Sequence, residues 1–290
     1  MNVILIPFFL AADVVVNNTS EWTYGPEYLY DVDMSFVLTP DRHGPVQNVR
    51  RINTLSCRPK TPDHLFCHFN NGTEMASVKN QHMSKESEME EKFEIKFNER
   101  GVEGVIVEPN THEEMVNVIR KIATQFNVAV DRSKIDMSHF TVREDSSMGN
   151  CSTMYSVTRG KAETERGGDF RLAILPLTDA KKRGTTLSIE KSRTECINPP
   201  QHVGFTKAKL EMVKFLSKIQ IEPNKFETSS EFDGKVQYVT SENAGEVSMN
   251  ERLHINLNSI KPAQNKLPTL SHGELTDLNT NHKTPSNTAN

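Results

Sequence analysis

Over long stretches of this chain, apolar residues fall on every second position. Tyr28, Tyr30, Val32, Met34, Phe36 and Leu38 alternate with mostly polar or small residues, the pattern of a strand with one face buried. The alternation recurs in Leu65, Cys67 and Phe69, in Phe93, Ile95 and Phe97, in Cys151, Thr153, Tyr155 and Val157, and in Phe170, Leu172 and Ile174. It returns in Leu187 with Ile189, in Val236 with Tyr238, and in Leu253, Ile255 and Leu257. Roughly ten such strands at short spacing, bounded by Gly, Pro, Asn or Asp, predict an antiparallel sheet curled into a barrel or sandwich.

One segment breaks the pattern. Within NTHEEMVNVIRKIATQF, Met115, Val118, Ile119, Ile122, Ala123 and Phe126 recur at helical spacing, and Thr111 with Glu114 offers a capping box, so a helix is predicted near 111–126. Its apolar stripe is wide, which places it against or inside the curved sheet, filling a core the strands leave open. The fold class is therefore mainly β with one central helix. Lys207 to Ser217 reads equally as helix or strand, because Leu210, Val213 and Leu216 stand at three-residue steps between strand-like neighbours. Residues 79–92 are charged and aperiodic and read as a solvated loop. The segment 261–290, rich in Asn, Thr, Pro and Lys, reads as a disordered tail.

The strongest apolar run, Val3 to Ala12, is too short for a membrane helix, which needs roughly 20 residues. It suits the apolar core of a signal peptide over 1–16, although no Lys or Arg precedes it and Asp13 interrupts it. No integral membrane segment is expected. Sequons at Asn17, Asn18, Asn71 and Asn150 are candidate glycosylation sites, and with four cysteines they favour an oxidising compartment and export from the cell.

Apolar residues make up 36% of the 290-residue chain, and 34 Lys and Arg stand against 38 Asp and Glu for a net charge of -4, which gives no global reason to bind nucleic acid. A polyanion site would have to be local. Lys207, Lys209, Lys214 and Lys218, with Lys181, Lys182 and Arg183 upstream, are the candidate cluster. No nucleophile signature, phosphate-cradling glycine loop or His-x-x-x-His pair points to catalysis or to a cofactor. The cysteines Cys57, Cys67, Cys151 and Cys196 allow three pairings. Cys57 and Cys67 flank CRPKTPDHLFC, whose prolines suit a hairpin turn, so a cross-strand disulfide is expected there. A zinc site with His64 and His68 is the less favoured alternative, since their spacing matches no familiar structural-zinc pattern.

Several local patterns, in order, resemble the N-terminal lipoprotein domain of vitellogenins, apolipophorins, apolipoprotein B and the microsomal triglyceride transfer protein. EWTYGPEYLYDVDMSFVLT resembles the first barrel strand, and FEIKFNERGVEGVIVEPNTHEEMVNVIRKIATQFNV resembles the hairpin and central helix. EDSSMGNCSTMYSVT and LSIEKSRTEC resemble the two segments that carry the family's paired cysteines, and YVTSENAGEVSMNERLHINLNSI resembles the last barrel strands. The spacing is most like that of insect-type vitellogenins. The resemblance spans 21–260 and implies an antiparallel β-barrel, a Cys151–Cys196 disulfide, a non-enzymatic role in lipid transport or yolk supply, and contact with an endocytic receptor. Lipid carriage would require the helical and cavity-lining sheet domains that follow the barrel in the family. The rival expectation is a free-standing secreted module that recognises a receptor, polyanion or microbial surface without lipid.

Overall fold

The structure, a computed structural model, describes residues 2–5, 10–14, 19–41, 44–78, 81–87, 90–128, 137–161, 170–174, 185–199, 202–203, 206–239, 244–270 and 272–279. The first strands are β1 (Asn2–Leu5), β2 (Leu10–Val14), β3 (Pro26–Pro40), β4 (Gln47–Thr61), β5 (His64–Val78), β6 (Gln81–Ser87), β7 (Lys92–Asn98) and β8 (Gly101–Val107). Helix α1 (Glu113–Gln125) follows. Then come β9 (His139–Ser146), β10 (Gly149–Lys161), β11 (Phe170–Ile174), β12 (Thr185–Ile197), β13 (His202–Val203), β14 (Thr206–Glu222), β15 (Lys225–Val239), β16 (Ala244–Pro262) and β17 (Glu274–Asp277).

A 14-stranded sheet runs β17-β8-β7-β5-β4-β3-β16-β15-β14-β12-β10-β9, with β6 beside β5 and β13 beside β14. Its neighbours pair antiparallel, mostly through tight hairpins, as alternating strands joined by short turns do. The sheet is barrel-like but not closed: β17 and β9 are its two ends. Helix α1 touches β8 near one end, β9 at the other and β15 in the wall between. The helix thus fills the interior, which is why Val116, Val118, Ile119, Ile122 and Ala123 are all buried. Tyr28, Tyr30 and Val32 point inward to meet it, and Phe126 stacks on Phe226 at 5.9 Å.

The residue after the helix's last turn, Asn127, ties it to both flanks. Its Oδ1 accepts from the Val102 amide on β8, and its carbonyl accepts from the Lys191 ammonium on β12. Gly101, at φ +123°, makes this approach feasible, because a Cβ there would lie 2.3 Å from Asn127 Oδ1.

Several details differ from the sequence expectations. Residues Gln81–Ser87, expected as loop, form β6 as a polar hairpin extension of β5. Lys207–Ser217 is strand, part of β14. The segment expected as a disordered tail contributes β17 on β8 and buries Ala263, Leu278 and Asn279, while residues 280–290 lie outside the described residues. The helix is capped by His112, whose Nδ1 accepts from the Glu114 amide at 3.4 Å; Thr111 lies one residue too early, and its hydroxyl has no hydrogen-bond partner among the described residues. Separately from these, Asn2–Leu5, Leu10–Val14 and Phe170–Ile174 form a three-stranded antiparallel sheet, β1-β2-β11.

Candidate functional site

At one end of the interior the sheet wall stands off the helix. Phe36 and Leu38 of β3, Met249 of β16, Phe232 of β15, and Leu210 and Phe215 of β14 face Asn117, Val118, Lys121 and Gln125 of α1 across a cavity of about 420 Å³. Most of these sheet residues belong to an apolar cluster separate from the main core, which also holds Met148, Cys151 and Val236. Each strand supplies them by the simple parity of its pleat, with a bulge at Met212/Lys214 resetting the parity in β14. The Cys151–Cys196 disulfide anchors the same cluster, with Cys196 packed against it.

The polar groups around the cavity come in self-satisfied sets. Lys121 Nζ donates to Glu251 at the helix-facing wall. Arg51 Nε donates to Glu74 at 2.5 Å. Gln125 Nε2 donates to Ser230 Oγ at 2.8 Å. The floor is Arg193, whose guanidinium stacks 4.1 Å from the Phe215 ring centroid and donates Nε and Nη2 to Glu144 Oε1 at 3.1 and 2.8 Å.

Glu144 is the centre of a fully buried network. Thr153 Oγ1 donates to its Oε1 at 3.1 Å and Tyr155 OH to its Oε2 at 2.6 Å, so both carboxylate oxygens are engaged. The β10/β12 register sets this up by placing Thr153 opposite Arg193 and Tyr155 opposite Lys191. Phe140 stacks on Tyr155 at 4.7 Å, and Lys191 Nζ lies 5.4 Å from the Tyr155 ring. Burial alone would raise the Glu144 carboxyl, but the charges of Lys191 and Arg193 and the hydrogen bonds from Tyr155 and Arg193 outweigh it and hold the group below its ordinary range. Burial, helped by Arg193 and opposed by Glu144, pushes the Lys191 ammonium down to about 8.

Of the residues singled out in the sequence, Cys57 and Cys67 lie directly opposite each other in the β4/β5 ladder and are bridged, as are Cys151 and Cys196. Asn150 engages its amide with Asp145 and Arg143. Asn71 lies in β5, and Asn17 and Asn18 fall outside the described residues. The backbone of Lys207 and the side chains of Lys209, Lys214 and Lys218 sit on β14, while 181–183 fall outside the described residues. Lys214 and Lys218 each meet a carboxylate at 3.1 Å, Glu231 and Glu190, so the cluster is partly neutralised. Lys218, Glu190 and Glu231 border an outer trough of about 1180 Å³ whose charges pair across strands, Arg50 with Asp33 and Arg252 with Glu231.

The cavity and the buried network escaped sequence reasoning. One signal was available: Lys191 and Arg193 continue the inward parity of Leu187 and Ile189, and a charge at core parity needs a buried partner. The partner, Glu144, is remote in sequence and is supplied only by the fold.

Comparison with known proteins gives a consistent picture. The family model described as the vitellogenin N-terminal domain matches residues 68–265. Among curated proteins there is no match. A solved lipovitellin, from a study of lipid-protein interactions, superposes with a TM-score of 0.57 at 13% identity, covering 92% of this chain and 28% of that one. This chain therefore spans just over a quarter of that protein's length. Porin variants from Rh. blastica align with 79% of this chain and 99% of theirs at 8% and 6% identity, but their TM-scores of 0.20 carry no argument.

Proposed function

The chain belongs to the vitellogenin N-terminal domain family, and from that premise we propose that it is an exported protein of the yolk-precursor, lipid-transport type whose barrel works chiefly by meeting a partner. The family is one of lipid transport and not of catalysis. The observation that carries the reading is the family match over 68–265 together with a lipovitellin-like fold over 92% of the chain. Under this reading the chain is a domain with bounds near 21–260, it enters an oxidising compartment where both cysteine pairs close, and lipid reaches it indirectly through the larger architecture of the family. Asn17 or Asn18, Asn71 and Asn150 are its proposed glycan acceptors.

A specific feature of β14 supports a receptor or other macromolecular partner. Val213 and Leu216, 63% and 45% exposed, stand among Lys209, Lys214 and Lys218 on the outer face. Apolar side chains beside cations suit an acidic protein surface, and the neighbouring Glu231 and Glu190 would make such binding modest and sensitive to salt. The same surface would serve the rival reading, a recognition module that works without lipid.

Expression of the full chain with its own N-terminus in secreting eukaryotic cells tests the proposal. The expected result is protein in the medium, a mass shift on glycosidase treatment, and a mass deficit for two disulfides. Retention of the reduced chain in the cytosol would overturn it.

A further inference from the structure

We propose that the cavity between α1 and the wall of β3, β16, β15 and β14 binds one small, uncharged, mainly apolar molecule with a single polar end, of the class of a long-chain alcohol or ester. This deepens the lipid-transport reading and rests on it for the choice of an acyl-type ligand. The volume of about 420 Å³ falls within the range of roughly 300 to 1,000 Å³ typical of pockets that bury a small organic molecule. Phe36, Leu210, Phe215, Phe232 and Met249 give it aromatic and aliphatic walls, and Met249 supplies an adaptable thioether.

The charge pattern selects against an anion. The cations that line the cavity are already committed: Arg193 to Glu144, Lys121 to Glu251 and Arg51 to Glu74. An incoming carboxylate or phosphate would have to separate one of these pairs, and it would also face Glu114 and Glu251. A hydroxyl or carbonyl can instead join the neutral Asn117, Gln125 and Ser230 groups without breaking an ion pair. The helix contributes the polar side and the sheet the apolar side, so the molecule would lie with its chain against β14–β16.

Isothermal titration calorimetry of the oxidised full chain with 1-dodecanol and with dodecanoate at neutral pH tests the site. The expected result is one-to-one binding of dodecanol, with dodecanoate about tenfold weaker. Leu210→Trp and Met249→Trp fill the cavity from two strands, and each is expected to abolish dodecanol binding. Glu251→Gln frees Lys121 and is expected to improve dodecanoate binding by about tenfold, an effect that simple loosening of the core would not produce. No dodecanol binding by the parent chain, binding that survives the tryptophan variants, or an unchanged preference in Glu251→Gln overturns the proposal. A chain that is exported with its disulfides yet binds no dodecanol overturns the cavity site and leaves the family-level reading standing. A chain that binds dodecanol but stays reduced in the cytosol does the reverse.

Discussion

Glu144 and Lys191 are the side chains on which the stability of the barrel wall turns most sharply. Glu144→Gln leaves Arg193 and Lys191 buried side by side with no compensating charge, and breaking a buried pair in this way costs about 3–5 kcal/mol. Urea denaturation is expected to show a loss of that size, and a loss under about 1 kcal/mol would mean that water reaches the network. The Glu144 carboxyl is held below its ordinary range, so its stabilisation is present above the unfolded value and is lost as pH falls through the folded one. Lys191 gives a slope of the same sign, but on the alkaline side. Its folded value of about 8 lies below the ordinary 10.5, so between these the unfolded chain holds a proton the folded chain has released, and stability rises with pH. The gap, at about 1.4 kcal/mol per pH unit, corresponds to about 3 kcal/mol. Above about pH 10, the ordinary range of a tyrosine, the buried hydroxyls of Tyr28 and Tyr30, both raised by burial, turn the curve down again, since the unfolded chain loses those protons first. A denaturation series from about pH 7.5 to about pH 10 on the parent and on Lys191→Met is expected to show a rise in the parent that is flattened in the variant. Equal slopes would remove Lys191 from the account.

Among the elements, α1 and β17 decide whether the sheet stays curled. Arg120 on the helix donates Nε to the Asp277 carbonyl of β17 at 2.9 Å, so the last described strand is held both by β8 and by the helix. Deleting residues 273–290 exposes the β8 edge and removes the carbonyl that accepts from Arg120 Nε, leaving Arg120 its bond to Asn117 Oδ1. Sedimentation equilibrium is expected to show concentration-dependent association that the parent lacks, because an unpaired edge is a template for another chain. A monomeric deletion variant would mean that the helix alone protects the edge. The two disulfides rank by the loops they close. Loop-closure entropy gives about 4 kcal/mol for Cys151–Cys196, 45 residues apart, and about 3 kcal/mol for Cys57–Cys67, 10 apart, so serine pairs at the first site are expected to lower the urea midpoint more. How far the sequence revealed these elements follows from where the hydrophobic signal lives. The strand from Tyr28 and the helix were legible because each buries one periodic face. β6 was not, because Gln81–Glu86 are exposed on both faces and ladder bonds alone hold that strand. β14 mimicked a helix because its bulge shifts the inward set from Leu210 to Phe215, which leaves Leu210, Val213 and Leu216 at three-residue steps. β17 was hidden because four residues with one large apolar side chain carry no period. The cavity lay beyond sequence reasoning, since its walls come from separate segments whose approach is a property of the curled sheet.

At the scale of the whole molecule, the question is how much lipid a barrel of this construction can hold by itself. The interior is occupied by α1, and the described cavity of about 420 Å³ lies in the range of roughly 300 to 1,000 Å³ of a pocket for one small molecule, room for a single chain and not for a glyceride load. Among the described residues, the outer surface offers no continuous apolar substitute. Its trough sets Val37, Met154 and Leu216 among cross-strand ion pairs and serines, and other large exposed apolar side chains, Met83 and Val213, stand on separate strands. A lipid particle needs a continuous apolar surface, and in a chain spanning just over a quarter of the lipovitellin length such a surface would have to come from elements outside this barrel. The expected outcome of incubating the protein with a triolein–phosphatidylcholine emulsion is therefore recovery at lipid-free density in a flotation gradient. One-to-one occupancy by dodecanol, if measured on the same preparation, would leave that density unchanged, which separates a single bound molecule from carriage of a droplet. Flotation with the emulsion, persisting at high salt where surface ion pairing is screened, would require an apolar face that the described residues do not present, and would overturn the assignment of lipid carriage to elements outside this barrel.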